Sequence, residues 1–145
     1  CCLLVCHDRS ELFEVFRPDD KQCVRAVRNG VGGLAAVQVG VLRRVVVIEV
    51  EEGTVYEMIN PHIIAQKGKQ EDQEGCLSVP GKWGKVSRPM HVTVQCMNRK
   101  GETVEITGHE LLARCFCHEL DHLDGIVYTE VMDRFLTEEE LMDDE

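Results

Sequence analysis

Apolar and polar residues alternate in short blocks along most of this chain, and one stretch near the C-terminus has a sustained helical period. Leu42 to Val50 is apolar and β-branched, the pattern of a buried strand. Thr54 to Ile59 and His62 to Gln66 read as two shorter strands separated by Asn60-Pro61. A further strand leads into Glu74-Gly75-Cys76-Leu77-Ser78, after which Val79-Pro80-Gly81 turns the chain. His91 to Met97 alternates and pairs with Glu102 to Thr107 across Asn98-Arg99-Lys100-Gly101, a hairpin turn with its glycine in place. Thr107-Gly108-His109-Glu110 has the form of a capping box, Thr as cap and Glu three residues on. The helix it opens carries Leu111, Leu112, Cys115, Phe116, Leu120 and Leu123 on a broad apolar face, and Asp124-Gly125 ends it. A strand from Ile126 to Thr129 and a short charged segment close the fold. The pattern predicts an α+β protein: small mixed, mainly antiparallel β-sheets packed around one central helix. We expect a single domain over residues 1–145, with no internal repeat and no linker.

The first thirty residues fit this scheme least. Asp20 is placed to cap a short helix through Cys23, Val24 and Val27 that ends at Gly30. The chain opens on Cys1 rather than Met, which implies a processed or incomplete N-terminus.

Composition narrows the class. With 43% hydrophobic and 29% charged residues, the 145-residue chain has the make-up of an ordinary globular domain. Net charge is −10, but six of the acids lie in the tail from Thr137 to Glu145, so the rest is only mildly acidic. That tail reads as a solvated helix end or a disordered segment. No basic patch is present to neutralise phosphates, so no nucleic-acid surface is expected. The longest apolar runs, Cys1 to Cys6 and Val45 to Ile48, are far too short to span a bilayer. Eight cysteines could form a disulfide framework, but none stand as C-x-x-C and the chain needs no such staple, which favours a reducing compartment.

The central helix also carries the chemistry. His118-Glu119-Leu120-Asp121-His122 places two imidazoles four residues apart, about 40° around the axis and about 6 Å along it. They can converge on one ion, with Glu119 beside them as general base, the H-E-x-x-H arrangement. This makes the central helix a metal-binding one. Cys115 shares the stripe but is too far along the axis for all three to close on one ion, and Cys117 points away; both are expected to pack. The third ligand must come from elsewhere. Cys76, flanked by Gly75 where backbone approach would be close, leads; His62, His91 and His109 are weaker choices.

Gly30-Val31-Gly32-Gly33-Leu34-Ala35 matches G-x-G-x-x-A, a dinucleotide fingerprint, but that pattern needs a strand before it and a full helix after it. Here a helix precedes and a strand follows. The better reading is a loop whose small residues let a substrate approach, with Gln38 presenting an amide.

Gly33-Leu34-Ala35-Ala36-Val37-Gln38, then Glu74-Gly75-Cys76-Leu77-Ser78, then His118-Glu119-Leu120-Asp121-His122, in this order, resemble peptide deformylase over roughly Gly33 to Val131. The resemblance implies a metal-dependent hydrolase that removes the N-formyl group from formylmethionine at the start of newly made polypeptides, releasing formate. It implies that Cys76, His118 and His122 bind one divalent metal, Fe²⁺ first, with Zn²⁺, Ni²⁺ or Co²⁺ able to substitute. It makes Glu119 the catalytic acid and base, and gives Gln38 and the Leu77 backbone N–H the oxyanion. Gly33, Leu111 and Cys115 would bind substrate, the last two lining the methionine pocket with His118. The implied partners are N-formylmethionyl nascent peptides, with transient proximity to the ribosome and no membrane. The implied compartment is a bacterial or organellar cytoplasm. The chain departs from the family pattern by an extra Gly33 before Leu34, and its residues before Gly30 look atypical. A deformylase-like metal-binding protein impaired in turnover is the alternative.

Overall fold

The computed structural model describes residues 32–142. The helix expected between Asp20 and Gly30 lies outside the described residues. Among the described residues there are eight strands: β1 (Gly33–Ala35), β2 (Val45–Ile48), β3 (Tyr56–Lys67), β4 (Gln70–Cys76), β5 (Val79–Arg88), β6 (His91–Met97), β7 (Thr103–His109) and β8 (Arg134–Phe135). Helix α1 spans Glu110–Leu123 and a short α2 spans Glu138–Met142. One sheet has the order β1-β2-β3-β6-β7 and the other β4-β5-β8. Each of these pairings is antiparallel. The α+β architecture around one long helix is as expected.

The core forms where α1 lies on one face of the larger sheet. Val46, Ile48, Met58, Val92, Val94 and Cys96 meet Ala113, Phe116, Cys117, Leu120 and Leu123 of α1. The period of two in the strands and the helical period in α1 each turn one apolar face to the other. Tyr56 closes one end edge-on to Phe116, with ring centroids 6.1 Å apart. The helix can come this close because Gly108 has no side chain. A Cβ there would stand 2.8 Å from Phe116 Cε2 and 3.2 Å from the Ala113 backbone nitrogen.

Several expected boundaries move. The strand expected from Leu42 begins only at Val45, and Leu42 is exposed. The two strands expected on either side of Asn60-Pro61 are one strand, β3, whose register shifts there. Pro61 has no N–H for the ladder, and Asn60 takes a left-handed φ of 49°, which bulges the strand without ending it. Val79-Pro80-Gly81 does not form the turn between β4 and β5. The chain reverses at Leu77-Ser78, and the ladder is interrupted between the pairs Gly75–Trp83 and Cys76–Val79. Thr107 does not cap α1, because its hydroxyl lies 2.9 Å from that of Thr93 across the β6–β7 ladder. His109 takes the cap position without a side-chain bond, and the Glu110 N–H donates to Met90 O at 2.9 Å. Ile126 to Thr129 is not a strand: Tyr128 lies in a 3-10 turn, fully buried, its hydroxyl donating to Lys82 O.

Other elements stand as expected. Asn98 Oδ1 accepts the Lys100 and Glu102 N–H groups, and Gly101 takes φ 78° in the β6–β7 turn. Asp124 caps α1, followed by Gly125 at φ 77°. The start of the acidic tail is helical, with Thr137 and Glu140 bonded reciprocally and Glu140 paired with Arg134. No helix among the described residues is long and apolar enough to cross a membrane.

We predict that Gly108→Ala lowers stability by about 1–3 kcal/mol through overpacking against Phe116. A urea titration would show this as a lower midpoint at unchanged slope.

Candidate metal centre

Cys76 ends β4, while His118 and His122 stand one turn apart on α1. Cys76 Sγ lies 3.3 Å from His122 Nε2. One ligand atom from each of the three residues falls within 4.8 Å of the others. The two imidazole rings are 4.8 Å apart and nearly perpendicular. Cys115 and Cys117 stay out of this group, as helix geometry requires. Burial pushes the Cys115 thiol up to about 12 and the Cys117 thiol up to about 11, so both remain protonated packing groups. His62 is exposed on β3, and His91 and His109 pair with each other on the outer face of the larger sheet.

Glu74 was missed as a functional residue. It lies two residues before Cys76 on β4, so the pleat sends both side chains to the same face. The carboxylate is 5% exposed. It accepts from Arg88 Nε at 3.0 Å and Nη2 at 3.1 Å, and from Arg114 Nη1 at 2.7 Å. It also lies 3.1 Å from His118 Nδ1. With Nδ1 donating to Glu74, His118 keeps Nε2 for an ion. Arg88 continues to Asp121 inside the helix motif, at 2.7 Å. Burial by itself would raise the Glu74 carboxyl, but hydrogen bonds from His118 and Arg88 outweigh it and hold it at about 2. The signal open to sequence reading was the i, i+2 spacing from Cys76 in a strand.

Cys76 follows the same logic. Burial disfavours its thiolate, but His118, His122 and the Ser78 N–H outweigh burial and bring the thiol down to about 5. A thiolate with two imidazoles is an electron-rich donor set that fits a divalent transition metal, so the residues present suit the metal that the resemblance implies. Three protein ligands to a four-coordinate ion would leave one position open, the pattern of catalytic rather than structural sites.

Glu119 is buried against β1. Gly33 permits this: a Cβ there would stand 2.7 Å from Glu119 Cγ and Oε1. Burial raises the Glu119 carboxyl to about 7 against the pull of His118 and His122, and its Oε2 has no hydrogen-bond partner. Gln38 stands on the 3-10 turn that follows β1. Its Oε1 accepts from the Ala35 N–H at 2.9 Å, which aims Nε2 at Ser78 Oγ, 3.3 Å away, and at Cys76 Sγ, 3.8 Å away. These groups open on a cleft of about 610 Å³. Gly33, Gln38, Cys76, Leu77, Leu111, Cys115, His118 and Glu119 all line it; His122 lies behind. Leu77, Leu111 and Trp83 form an exposed apolar rim.

The family model for polypeptide deformylase matches residues 11–138. The chain belongs to the polypeptide deformylase family. Deformylase function goes with that membership, in preference to an impaired, merely metal-keeping protein. It is 54% identical over 123 residues to a peptide deformylase of Acetivibrio thermocellus, covering 85% of this chain and 71% of the relative. Among solved structures, a peptide deformylase from Legionella pneumophila aligns with TM-score 0.78 at 32% identity, over 96% of this chain and 80% of that one. One from Synechococcus elongatus, in complex with actinonin, aligns with TM-score 0.79 at 33% identity, over 90% and 72%. The family match begins well before Gly33, where the resemblance was first legible.

We predict that Glu74→Gln, which leaves Arg114 buried without its counter-charge, costs about 3–5 kcal/mol of stability. The pH dependence has a definite sign. The folded carboxyl sits at about 2, below its ordinary 4.5, so its stabilisation is complete above pH 4.5 and is lost as pH falls towards 2. Acid titration of unfolding free energy would show a component of about 3 kcal/mol in this window that Glu74→Gln lacks.

Proposed function

We propose that the chain acts as one catalytic domain that hydrolyses the formyl amide at the N-terminus of N-formylmethionyl polypeptides, with Cys76, His118 and His122 holding one divalent ion. The convergence of a thiolate and two imidazoles beside the buried Glu119 carboxyl, in a chain of this family, carries the reading. The donor set is softer than two histidines with a carboxylate, which suits a first-row transition-metal ion over Mg²⁺ or Ca²⁺; the family resemblance implies Fe²⁺ first, with Zn²⁺, Ni²⁺ and Co²⁺ as substitutes. When bound, the ion supplies Lewis-acid polarisation and makes water nucleophilic at neutral pH.

The chain's own groups do the rest. Glu119, with its carboxyl near neutrality, accepts a proton from the attacking water. As oxygen adds to the formyl carbon, charge builds on the formyl oxygen, within reach of the Gln38 amide and the Leu77 N–H as donors. Glu119 then passes its proton to the departing nitrogen as the C–N bond breaks, giving formate and a free amino terminus. Leu111 and Cys115 offer an apolar wall for the methionine side chain, and Gly33 keeps the floor of the cleft open beside Glu119. A substrate of this kind arises on ribosomes of the bacterial or organellar cytoplasm, so the enzyme works close to them.

Formate release from a formyl-Met tripeptide, measured on anaerobically prepared protein, tests this. Glu119→Ala should retain metal and lose activity by at least about 10²–10⁴-fold, the usual worth of a general acid–base group. Undiminished turnover in that variant refutes the assignment. Gln38→Ala should lower kcat by about 10²–10³ with metal content unchanged, as expected of one oxyanion donor.

A further inference from the structure

His91 and His109 form a second pair of imidazoles outside the cleft. His91 opens β6, His109 closes β7, and the ladder sets them directly opposite each other. Opposed residues share a face of the sheet, and both of these are exposed. Their Nδ1 atoms lie 2.5 Å apart, with ring centroids 4.7 Å apart and planes at 76°. Two ring nitrogens this close cannot both carry a proton between them. One Nδ1–H donates to the other Nδ1 across this gap, and a cation that displaces that proton meets two lone pairs facing it. Two imidazole nitrogens on one ion, each at about 2.0–2.1 Å, stand roughly 3 Å apart. A small rotation of one ring supplies the difference.

The backbone around the pair is held. The next pair on the same face, Thr93 and Thr107, is hydrogen-bonded at 2.9 Å. At the open end, the Glu110 N–H donates to Met90 O, and Gln70 Nε2 donates to both Pro89 O and Glu110 O. Lys67 stands opposite His91 on β3, so its charge opposes a cation here and the imidazole donors must carry the binding.

We propose that His91 and His109 form a peripheral site for a divalent transition-metal ion, distinct from the cluster of Cys76, His118 and His122. Neutral imidazoles select Cu²⁺, Ni²⁺ and Zn²⁺ over the oxygen-seeking Mg²⁺ and Ca²⁺. His109 immediately precedes α1, so an ion shared with His91 ties the start of β6 to the base of that helix. The inference is independent of the deformylase reading.

Equilibrium dialysis of the full chain against Ni²⁺ and against Zn²⁺ tests it, with metal per chain as the readout. His91→Ala and His109→Ala should each bind one equivalent fewer than the unmodified protein. Far-UV circular dichroism should be unchanged, which shows that the variants fold. His62→Ala, which removes an exposed histidine elsewhere, should lose none. Unchanged metal content in both variants overturns the proposal, as does loss of the same equivalent in His62→Ala.

Discussion

One buried carboxylate decides how the two sheets meet. Glu74 belongs to the smaller sheet, yet two of its partners, Arg114 and His118, are on the helix that packs against the larger one. Arg88 on β5 joins the same cluster and reaches Asp121 on the helix. Glu74 is paired with both arginines, and Arg88 has the partly exposed Asp121 as a second partner, so neither arginine is buried without a counter-charge. A buried ion cluster of this kind adds less net stability than apolar packing would, and its worth lies in fixing geometry. The helix cannot rotate or slide relative to β4 without leaving a charge unpaired. Because Cys76 lies two residues beyond Glu74 on the same face, the bonds that hold His118 also set where the thiolate sits.

Close approach of backbones is the second constraint. α1 lies on its sheet only because Gly108 leaves room for Phe116, and Glu119 reaches the cleft only because Gly33 leaves room for its carboxylate. Both glycines therefore act through the volume they leave empty. Burial of Glu119 is what moves its carboxyl towards neutrality, so the packing that Gly33 permits also tunes the group we propose for proton transfer.

Much of this was readable in the chain, and the exceptions have physical reasons. Two histidines four residues apart must share a helix face, so His118 and His122 needed no tertiary information. Asn98-Arg99-Lys100-Gly101 and Asp124-Gly125 are local signals, settled by backbone preferences. Cys76 stands 42 residues from His118 in sequence; its Gly75 neighbour ranked it ahead of three histidines, and the resemblance then named it as the third ligand. Glu74 offered only its i, i+2 spacing from Cys76, because its meaning depends on Arg88 and Arg114, two residues distant in sequence and unremarkable until the sheets meet. Thr107 shows the reverse failure. Its local cap signal was real, but the hydroxyl found a partner across the strand, and pairing outranked capping. Pro61 failed in a third way, since a bulge lets a strand continue past a residue that ordinarily ends one.

The origin of the ligands has its own consequence. A helix can offer two donors to one ion, but a third on the same stripe is too far along the axis, as Cys115 illustrates. The third donor has to come from another element, so the site exists only when β4 and α1 are docked. An ion held by Cys76, His118 and His122 therefore cross-links the two elements that the Glu74 cluster already joins. Metal affinity and fold stability are linked through that shared junction: whatever loosens the carboxylate cluster weakens the grip on the ion, and an ion in place resists the loosening. The candidate metal centre and the carboxylate cluster that joins β4 to α1 are in this sense one structure.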